Sequence, residues 1–355
     1  MYLHALGWNS FFQSHWDSEP RPHHQPARVI EQQRAAFRVV SEDGELFAEE
    51  SGHLRHSAAD PSALPSVGDW VAINTVKGEK KAVIRGILPR RTKLSRKVAG
   101  RRTGEQVLVT NVDTAFILTS LNGDFNPRRV ERYLGAIGEC GIKPVVILSK
   151  SDLSSKPDES AGEIAAAAPD VDIHVISALT ADGIEGLSRY LGPGSTAVLL
   201  GSSGVGKSTL MNRLLDGEVQ STLEIRSSDD RGRHATTHRR LFPLPSGGVL
   251  IDTPGIREFQ LWEANGLHGV FDEIDKLAMD CRFRDCHHDS EPGCAVKQAV
   301  DDGILEAQRL ANAQKLNREL DHVGRRRDLT PQREEQQRWK RIRKAIRKED
   351  KILKL

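Results

Sequence analysis

The pattern of apolar and polar positions changes character along the chain of 355 residues. Residues 1–28 are rich in His, Pro, Gln and Trp and keep no sustained period. They are expected to form a loosely ordered arm, anchored to its own domain by Trp8, Phe11, Phe12 and Trp16. Between 29 and 110, short β-type runs stand out at Phe37–Val40, Trp70–Ile73, Ala82–Ile87 and Gln106–Val109. Asp43-Gly44, Pro61, Pro65, Gly68, Lys77-Gly78 and Pro89 punctuate them, each at a point where the backbone must turn. Several short strands in so small a span predict a barrel of the OB type.

From 111 to 265 the pattern alternates. Thr114–Ser120, Pro144–Leu148, Val171–Ile176, Thr196–Leu200 and Gly248–Ile251 are apolar runs of strand length. Asn126–Cys140, Glu159–Ala168 and Lys207–Leu215 read as helices between them. This is the βαβ rhythm of a doubly wound parallel sheet. Residues 266–300 hold a Cys/His cluster, and 301–355 read as helix, strongly charged towards the end. The predicted architecture is multidomain: an arm (1–28), an OB barrel (29–110), an α/β domain (111–265) and a metal-binding module with basic helices (266–355).

Composition narrows the partners. The chain is 38% hydrophobic and 28% charged, ordinary for a soluble protein with a real core. It has no run of eighteen apolar residues and a mean hydropathy of −0.46, which argue against a membrane span. No basic segment leads into a long apolar stretch at the start, so no secretory signal is read and the expected compartment is the cytoplasm. The net charge is only +2, but Arg85–Arg102 holds eight cations and no acid, and Pro331–Leu355 holds ten cations against four acids. Two basic patches on an acidic body point to a polyanion, with nucleic acid first. No sustained heptad or dimer motif is evident, so a monomer is expected.

Four cysteines are present, three of them within fourteen residues of each other with His287 and His288 among them. In a cytosolic chain, that clustering reads as metal binding rather than disulfides. Cys140 reads as a small buried hydrophobe.

Gly201-Ser202-Ser203-Gly204-Val205-Gly206-Lys207-Ser208 fits the phosphate-binding pattern GxxxxGK[ST]. Its glycines let backbone N–H groups turn inward round phosphates, and the helix beginning near Lys207 aims its positive end at the same oxygens. Lys207 is expected to reach the β- and γ-phosphates and Ser208 to ligate Mg²⁺, with Thr209 beside it. Asp252-Thr253-Pro254-Gly255 follows a strand. Asp252 suits Mg²⁺ through water, and the N–H of Gly255 suits the γ-phosphate. Between these motifs lies Arg231–Thr237, a segment of low apolar content suited to a switch loop. Thr237, with Thr236 as the alternative, is expected to close over Mg²⁺ and the γ-phosphate.

Ser149-Lys150-Ser151-Asp152 follows a strand end and resembles the NKxD motif of GTPases. A carboxylate accepts from the N1–H and exocyclic amine of guanine, but faces an acceptor in adenine, so an ATPase conflicts with Asp152. The stem of Lys150 would cover the base, and Ser177-Ala178 matches the loop whose backbone donates to the base oxygen. Ser149 replaces the usual Asn, and its hydroxyl is a partial substitute for the missing amide. The base motifs precede the phosphate motifs, and only a circular permutation reconciles that order with one nucleotide site.

With Asp124-Phe125-Asn126-Pro127-Arg128-Arg129-Val130-Glu131-Arg132-Tyr133-Leu134, the permuted motif order, Arg231–Thr237 and the Cys/His cluster, nearly the whole chain resembles the ribosome small-subunit-dependent GTPase A (RsgA) family. The resemblance implies an N-terminal OB barrel, a circularly permuted GTPase domain and a C-terminal zinc domain. It implies GTP hydrolysis to GDP stimulated by the small ribosomal subunit, with rRNA contact late in subunit maturation. It selects His288 over His287, giving C-x4-C-x-H-x5-C as Cys281, Cys286, His288 and Cys294 around one structural Zn²⁺. It also makes His234 the candidate for positioning the attacking water. Ile256, which follows the DTPG motif, cannot orient water, so slow intrinsic turnover is expected. Arg231 and Arg233 are alternatives for contacting phosphate or rRNA. A second reading is an RNA-binding assembly scaffold switched by nucleotide, in which hydrolysis is incidental.

Overall fold

The computed structural model describes residues 2–19, 21–33, 36–58, 60–97, 105–122, 125–138, 140–217, 239–253, 271–283, 286–289, 291–307, 309–311, 313 and 314. They fall into two compact units. One holds residues 2–253 apart from Lys97 and Glu105, which group with the second unit, from Phe271 onward. Among the described residues, no helix is long and apolar enough to cross a membrane.

In the first unit, β1 (Gln25–Gln32), β2 (Phe37–Ser41), β3 (Gly44–Glu50), β4 (Trp70–Thr75) and β5 (Lys81–Ile87) run in the order β1-β2-β3-β5-β4, and β4 pairs back with β1. That closes a five-stranded barrel in which β3 and β5 are parallel and the remaining pairs antiparallel. Closure removes the exposed edges that an open sheet would leave. Its interior is filled by alternate residues such as Ala27, Val29, Phe37, Val39, Ile73 and Ile84. The short helix α3 (Gly52–Ser57) starts at Ser51, whose hydroxyl caps Leu54 N at 3.2 Å.

Two features differ from the sequence expectation. The first 28 residues, expected to be a loosely ordered arm, carry helices α1 (Tyr2–Ala5) and α2 (Ser10–Asp17) and the first half of β1. Trp8 and Phe12 are buried against Trp70 of the barrel, with ring centroids 4.8 and 5.9 Å apart. Asn9 caps α2 by accepting from Phe11 N and Phe12 N. The run Gln106–Val109, counted with the barrel strands, belongs instead to a separate two-stranded ribbon of β6 (Lys93–Lys97) and β7 (Glu105–Thr110).

Beyond the ribbon, β8 (Thr114–Ser120), β9 (Lys143–Ser149), β10 (Asp172–Val175), β11 (Thr196–Gly201), β12 (Arg240–Pro243) and β13 (Val249–Asp252) form a sheet in the order β10-β9-β8-β11-β13-β12. All neighbours are parallel except the β12–β13 pair. Parallel strands buried on both faces read as continuous apolar runs, which is why β8, β9, β11 and β13 were legible and β12 was not. α4 (Pro127–Gly138), α5 (Pro157–Ala167) and α6 (Lys207–Leu214) connect them. Pro127 and Pro157 open their helices at positions where a missing N–H costs nothing. Phe116, Leu118, Ile147, Leu199, Leu210 and Met211 lie in one core. At its far edge β12 touches β1, where Glu31 faces Arg240, so sheet and barrel are continuous.

The basic run Arg85–Arg102 is not a uniform outer surface. Arg90 donates to both oxygens of the fully buried Asp69, at 2.7 and 2.8 Å, and to Ser62 O and Leu64 O. Arg91 pairs with Asp113. These two guanidiniums serve the interior.

Arg28 is fully buried on β1. It donates to Leu6 O, to Asn111 O at 3.2 Å and to the Thr196 hydroxyl at 3.0 Å, and lies over the Trp70 ring. Desolvation lowers its pKa to about 10, opposed by Asp113 and Asp69. Arg28→Ala would leave several buried acceptors unpaired, each worth about 1–3 kcal/mol, beside a cavity. Urea titration followed by Trp fluorescence should show a loss of ~3–5 kcal/mol. A loss under about 1 kcal/mol would remove Arg28 from the framework.

Candidate nucleotide site and metal centre

The phosphate-type loop joins β11 to α6 at the carboxyl edge of the sheet, on the central strand. Three of its residues, Gly201, Gly204 and Gly206, have positive φ values of 143, 76 and 98°. At Gly201 a Cβ would stand 2.6 Å from Leu118 O, so that position admits no side chain. Gly206 opens α6 in the left-handed region, leaving the helix's first N–H groups without a side-chain cap. Lys207 curls back, its Nζ donating to Gly201 O at 2.8 Å and Ser202 O at 2.6 Å. Burial lowers its pKa to about 8 against the opposing pull of Asp252. Ser203, Ser208 and Thr209 sit on the same loop and the first turn of α6.

Asp252 ends β13, the strand next to β11, and is buried. Thr253, also buried, donates its hydroxyl to Leu199 O at 2.8 Å, fixing the chain beside β11. Gly255, Ile256, Arg231, Arg233, His234, Thr236 and Thr237 lie outside the described residues.

The base-side motifs come to the same edge from earlier strands. Ser149 ends β9 and is buried. Its hydroxyl donates to Val205 O in the phosphate loop at 2.7 Å, with Thr119 O at 3.3 Å as a weaker alternative. The residue that departs from the Asn of NKxD thus still makes the cross-loop bond. Lys150 adopts a left-handed conformation, φ 59°, that turns the chain into the short helical turn Ser151–Leu153. Asp152 is held from the neighbouring loop by the buried Ser177, whose hydroxyl donates to Oδ1 at 2.5 Å. Ser151 N donates to Ile176 O at 3.1 Å, a second tie between the two loops.

Two arginines that sequence reasoning gave no role stand at this edge. Arg129, in the first turn of α4, donates from Nη1 to the Ser202 hydroxyl at 3.0 Å. Arg213, in the last turn of α6, donates to Leu179 O at 3.0 Å and more weakly to Ala178 O. Their helical spacing is ordinary, and the only available signal was placement within a turn of a motif.

In the second unit, α7 (Asp272–Ala278) and α8 (Ala295–Asp301) flank Cys281, Cys286, His288 and Cys294, whose ligand atoms all lie within 4.8 Å of one another. His288 Nδ1 is 3.6 Å from Cys281 Sγ and 3.4 Å from Cys294 Sγ, and the two sulfurs are 3.9 Å apart. Cys294 is the N-cap of α8, with Lys297 N donating to its sulfur at 3.4 Å. His288 takes positive φ, 58°, which turns its ring into the cluster, and Gln314 donates to its carbonyl at 2.6 Å. His287 stays outside the group, its N–H taken by Glu291.

A phosphate-binding loop on the central strand, an acid ending the neighbouring strand, and two base-side loops reached earlier in the chain define a circularly permuted P-loop GTPase. Residues 87–262 match the family model described as RsgA GTPase. A protein of Opitutus terrae named "Small ribosomal subunit biogenesis GTPase RsgA" is 43% identical, with 99% of each chain covered. A protein of the same name from Methanosarcina acetivorans is 45% identical over 80% of this chain and 77% of its own. Among solved structures, YjeQ from Thermotoga maritima superposes with a TM-score of 0.62 at 25% identity, covering 84% of this chain and 98% of its own. YloQ, described as a circularly permuted GTPase, gives 0.57 at 24% identity, covering 86% and 98%. The chain belongs to the RsgA GTPase family, and as such is a GTP hydrolase.

Two outcomes follow from this geometry. Ser149→Ala removes the cross-loop bond, and a net loss of about 1–1.5 kcal/mol should weaken binding of fluorescent GDP roughly tenfold. Unchanged affinity would show that the bond holds nothing together. Lys207 titrates near pH 8 when free, whereas phosphate oxygens favour its ammonium form. Above pH 8, nucleotide binding should therefore take up a proton, and affinity should fall by up to about tenfold per pH unit. Calorimetry in buffers of different ionisation enthalpy would reveal that proton, and its absence at pH 9 would contradict the assignment.

Proposed function

We propose that this chain hydrolyses GTP to GDP and phosphate on meeting the small ribosomal subunit, in contact with its rRNA during late subunit maturation. The observation that carries the reading is the hydroxyl of Ser149 on Val205 O, which joins the base-side loop to the phosphate loop in one site. The names of the relatives supply the partner.

In this reading Asp152 accepts from guanine N1–H and the exocyclic amine. Ser177 fixes one carboxylate oxygen in advance, so little ordering is lost on binding. Lys150 covers the base face, and the backbone at Ser177-Ala178 donates to the base oxygen. The N–H groups of Gly201–Ser208 surround the phosphates, and Lys207 leaves its two carbonyls for the β- and γ-phosphate oxygens. Ser202 and Ser203 line the turn, and Thr209 extends the first turn of the helix. Mg²⁺, when bound, neutralises charge between the β- and γ-phosphates, with Ser208, Thr237 and, through water, Asp252 as its residues. Gly255 donates to the γ-phosphate, and His234 positions the attacking water. With isoleucine at 256, turnover is slow until the partner acts on the Arg231–Thr237 segment.

Cys281, Cys286, His288 and Cys294 form a closed structural Zn²⁺ site. The donor atoms of Cys281, His288 and Cys294 lie 3.4–3.9 Å apart and that of Cys286 within 4.8 Å of them, so the four would hold one Zn²⁺. Four protein ligands leave no open position, so the metal holds the fold of its module and takes no part in hydrolysis. Elemental analysis of the purified protein should give about one Zn²⁺ per chain. Chelation or Cys286→Ser should lower the melting temperature of the second unit and leave GDP affinity intact. A metal-free protein with an unchanged melting profile would contradict a structural metal.

Phosphate release from GTP, with and without purified small subunits, tests the function for wild type and His234→Ala. Stimulation in wild type, reduced ~100-fold in the variant, supports the scheme. Stimulation that survives the substitution moves water positioning elsewhere. No stimulation in wild type overturns the ribosomal reading.

A further inference from the structure

Two guanidiniums of the first unit lack what their neighbours have. Arg90 and Arg91 sit on carboxylates, Asp69 and Asp113. Arg96 and Arg239 are held by neutral acceptors instead. Arg96 Nε donates to Gln106 Oε1 at 3.0 Å, and Arg239 Nη1 donates to Val107 O at 3.2 Å. Gln106 and Val107 are consecutive on β7, so one short stretch of the ribbon carries both cations. Both are only half-exposed. Burial, and then the charge of Arg96, pull the pKa of Arg239 down to about 10, and among the described residues no carboxylate acts the other way. Neutral acceptors fix a guanidinium's orientation without cancelling its charge. Two such forks, pre-positioned and mutually repelling, are relieved by one anion able to take several N–H bonds.

We propose that Arg96 and Arg239 together hold one backbone phosphate of RNA, where β7 meets the segment leading into β12. The cationic surroundings favour RNA over a free ion: Arg96 stands on β6 with Lys93 and Lys97. The position has a consequence. Arg239 stands two residues after Thr237 and directly before Arg240, the first residue of β12, which faces both Glu31 of the barrel and Asp252. RNA held there bears on the start of β12, the strand that joins the sheet to the barrel.

The inference rests on the RNA-binding reading above, and the test separates the two. Binding of purified small ribosomal subunits is measured against salt, from about 50 to 200 mM, for the full chain and for Arg96→Gln, Arg239→Gln and the double variant. Each single variant should lower the slope of log K against log salt by about one and weaken binding roughly tenfold at the lower salt. Because the two share one phosphate, the double variant should lose little more slope than either single one. Arg239→Lys should keep most of the slope. Fluorescent GDP affinity, to which neither residue contributes, should stay at the wild-type value and certifies the fold. If all variants keep the wild-type slope while binding persists, the phosphate pair is wrong and the RNA reading stands. If wild type does not bind subunits, both are wrong. If inorganic phosphate alone raises the melting temperature of wild type but not of the double variant, with subunit binding equal in the two, the pair is a free-anion site and the RNA assignment is overturned.

Discussion

The buried guanidinium of Arg28 sets a constraint that the first unit is built around. A full charge withdrawn from water costs several kcal/mol unless its donors are satisfied. Here the terminal nitrogens reach Leu6 O beside α1, Asn111 O after the ribbon and the hydroxyl of Thr196 at the start of β11, while Nε is buried without a partner. The aromatic face of Trp70 covers the group, and Trp8 and Phe12 close over that ring. The cost of burial is thus offset only when N-terminal helices, barrel and GTPase sheet are all in place. That makes their mutual arrangement cooperative. It also fixes the base of β11, whose far end is the phosphate loop.

At that far end the constraint is backbone geometry rather than charge. Gly201 is pressed against Leu118 O, and Gly204 and Gly206 take conformations that other residues adopt only under strain. The loop is therefore shaped before any ligand arrives, with Lys207 parked on Gly201 O and Ser202 O. Ser149 and Ser177 do the equivalent for the base side, each through a hydroxyl. A serine hydroxyl has one proton to give, where an asparagine amide has two. The tether at Ser149 is complete towards Val205 but has nothing left for Thr119 O. Preorganisation is kept with one bond fewer.

What the sequence made legible follows from burial. Strands β8, β9, β11 and β13 are covered on both faces and read as unbroken apolar runs, and the motifs stand at their ends. β1 and β3 were missed for opposite reasons. In β1 a buried arginine stands on the face opposite Ala27 and Val29 and breaks the apolar run, and Pro26 suggests a turn. In β3 the stretch Gly44–Glu50 is acid-rich, with Phe47 left half exposed while Leu46 and Ala48 go inside. The arm was misread because its aromatic residues have no period of their own, and their partner, Trp70, is distant in the chain. The cation run Arg85–Arg102 looked uniform since Asp69 and Asp113, which neutralise part of it, lie outside the window. The Cys/His cluster was readable because few residue types can bind a metal, with the family resemblance choosing His288 over His287, whereas Arg129 and Arg213 were not, because arginines near helix ends are common.

The permutation itself has a mechanical reading. In an α/β sheet, any strand may begin the chain provided the crossovers remain right-handed. Opening the chain before β8 leaves the base loops, which need only be rigid, in the first half. The phosphate loop, the switch segment and Asp252 then follow one another and end the sheet. The chain enters the sheet at β8, beside β11, directly from the ribbon, and the last strand of the sheet in chain order ends at Asp252. Meanwhile β12, which follows the switch segment, is hydrogen-bonded on one side to β13 and on the other to β1 of the barrel. Barrel and sheet are therefore joined through β12, which pairs with β13, the strand ending in Asp252, and not through β9 or β10. A contact made by the barrel thus has a short hydrogen-bonded path to Asp252, while β9, which ends in Ser149, and β10 stand towards the other edge of the sheet.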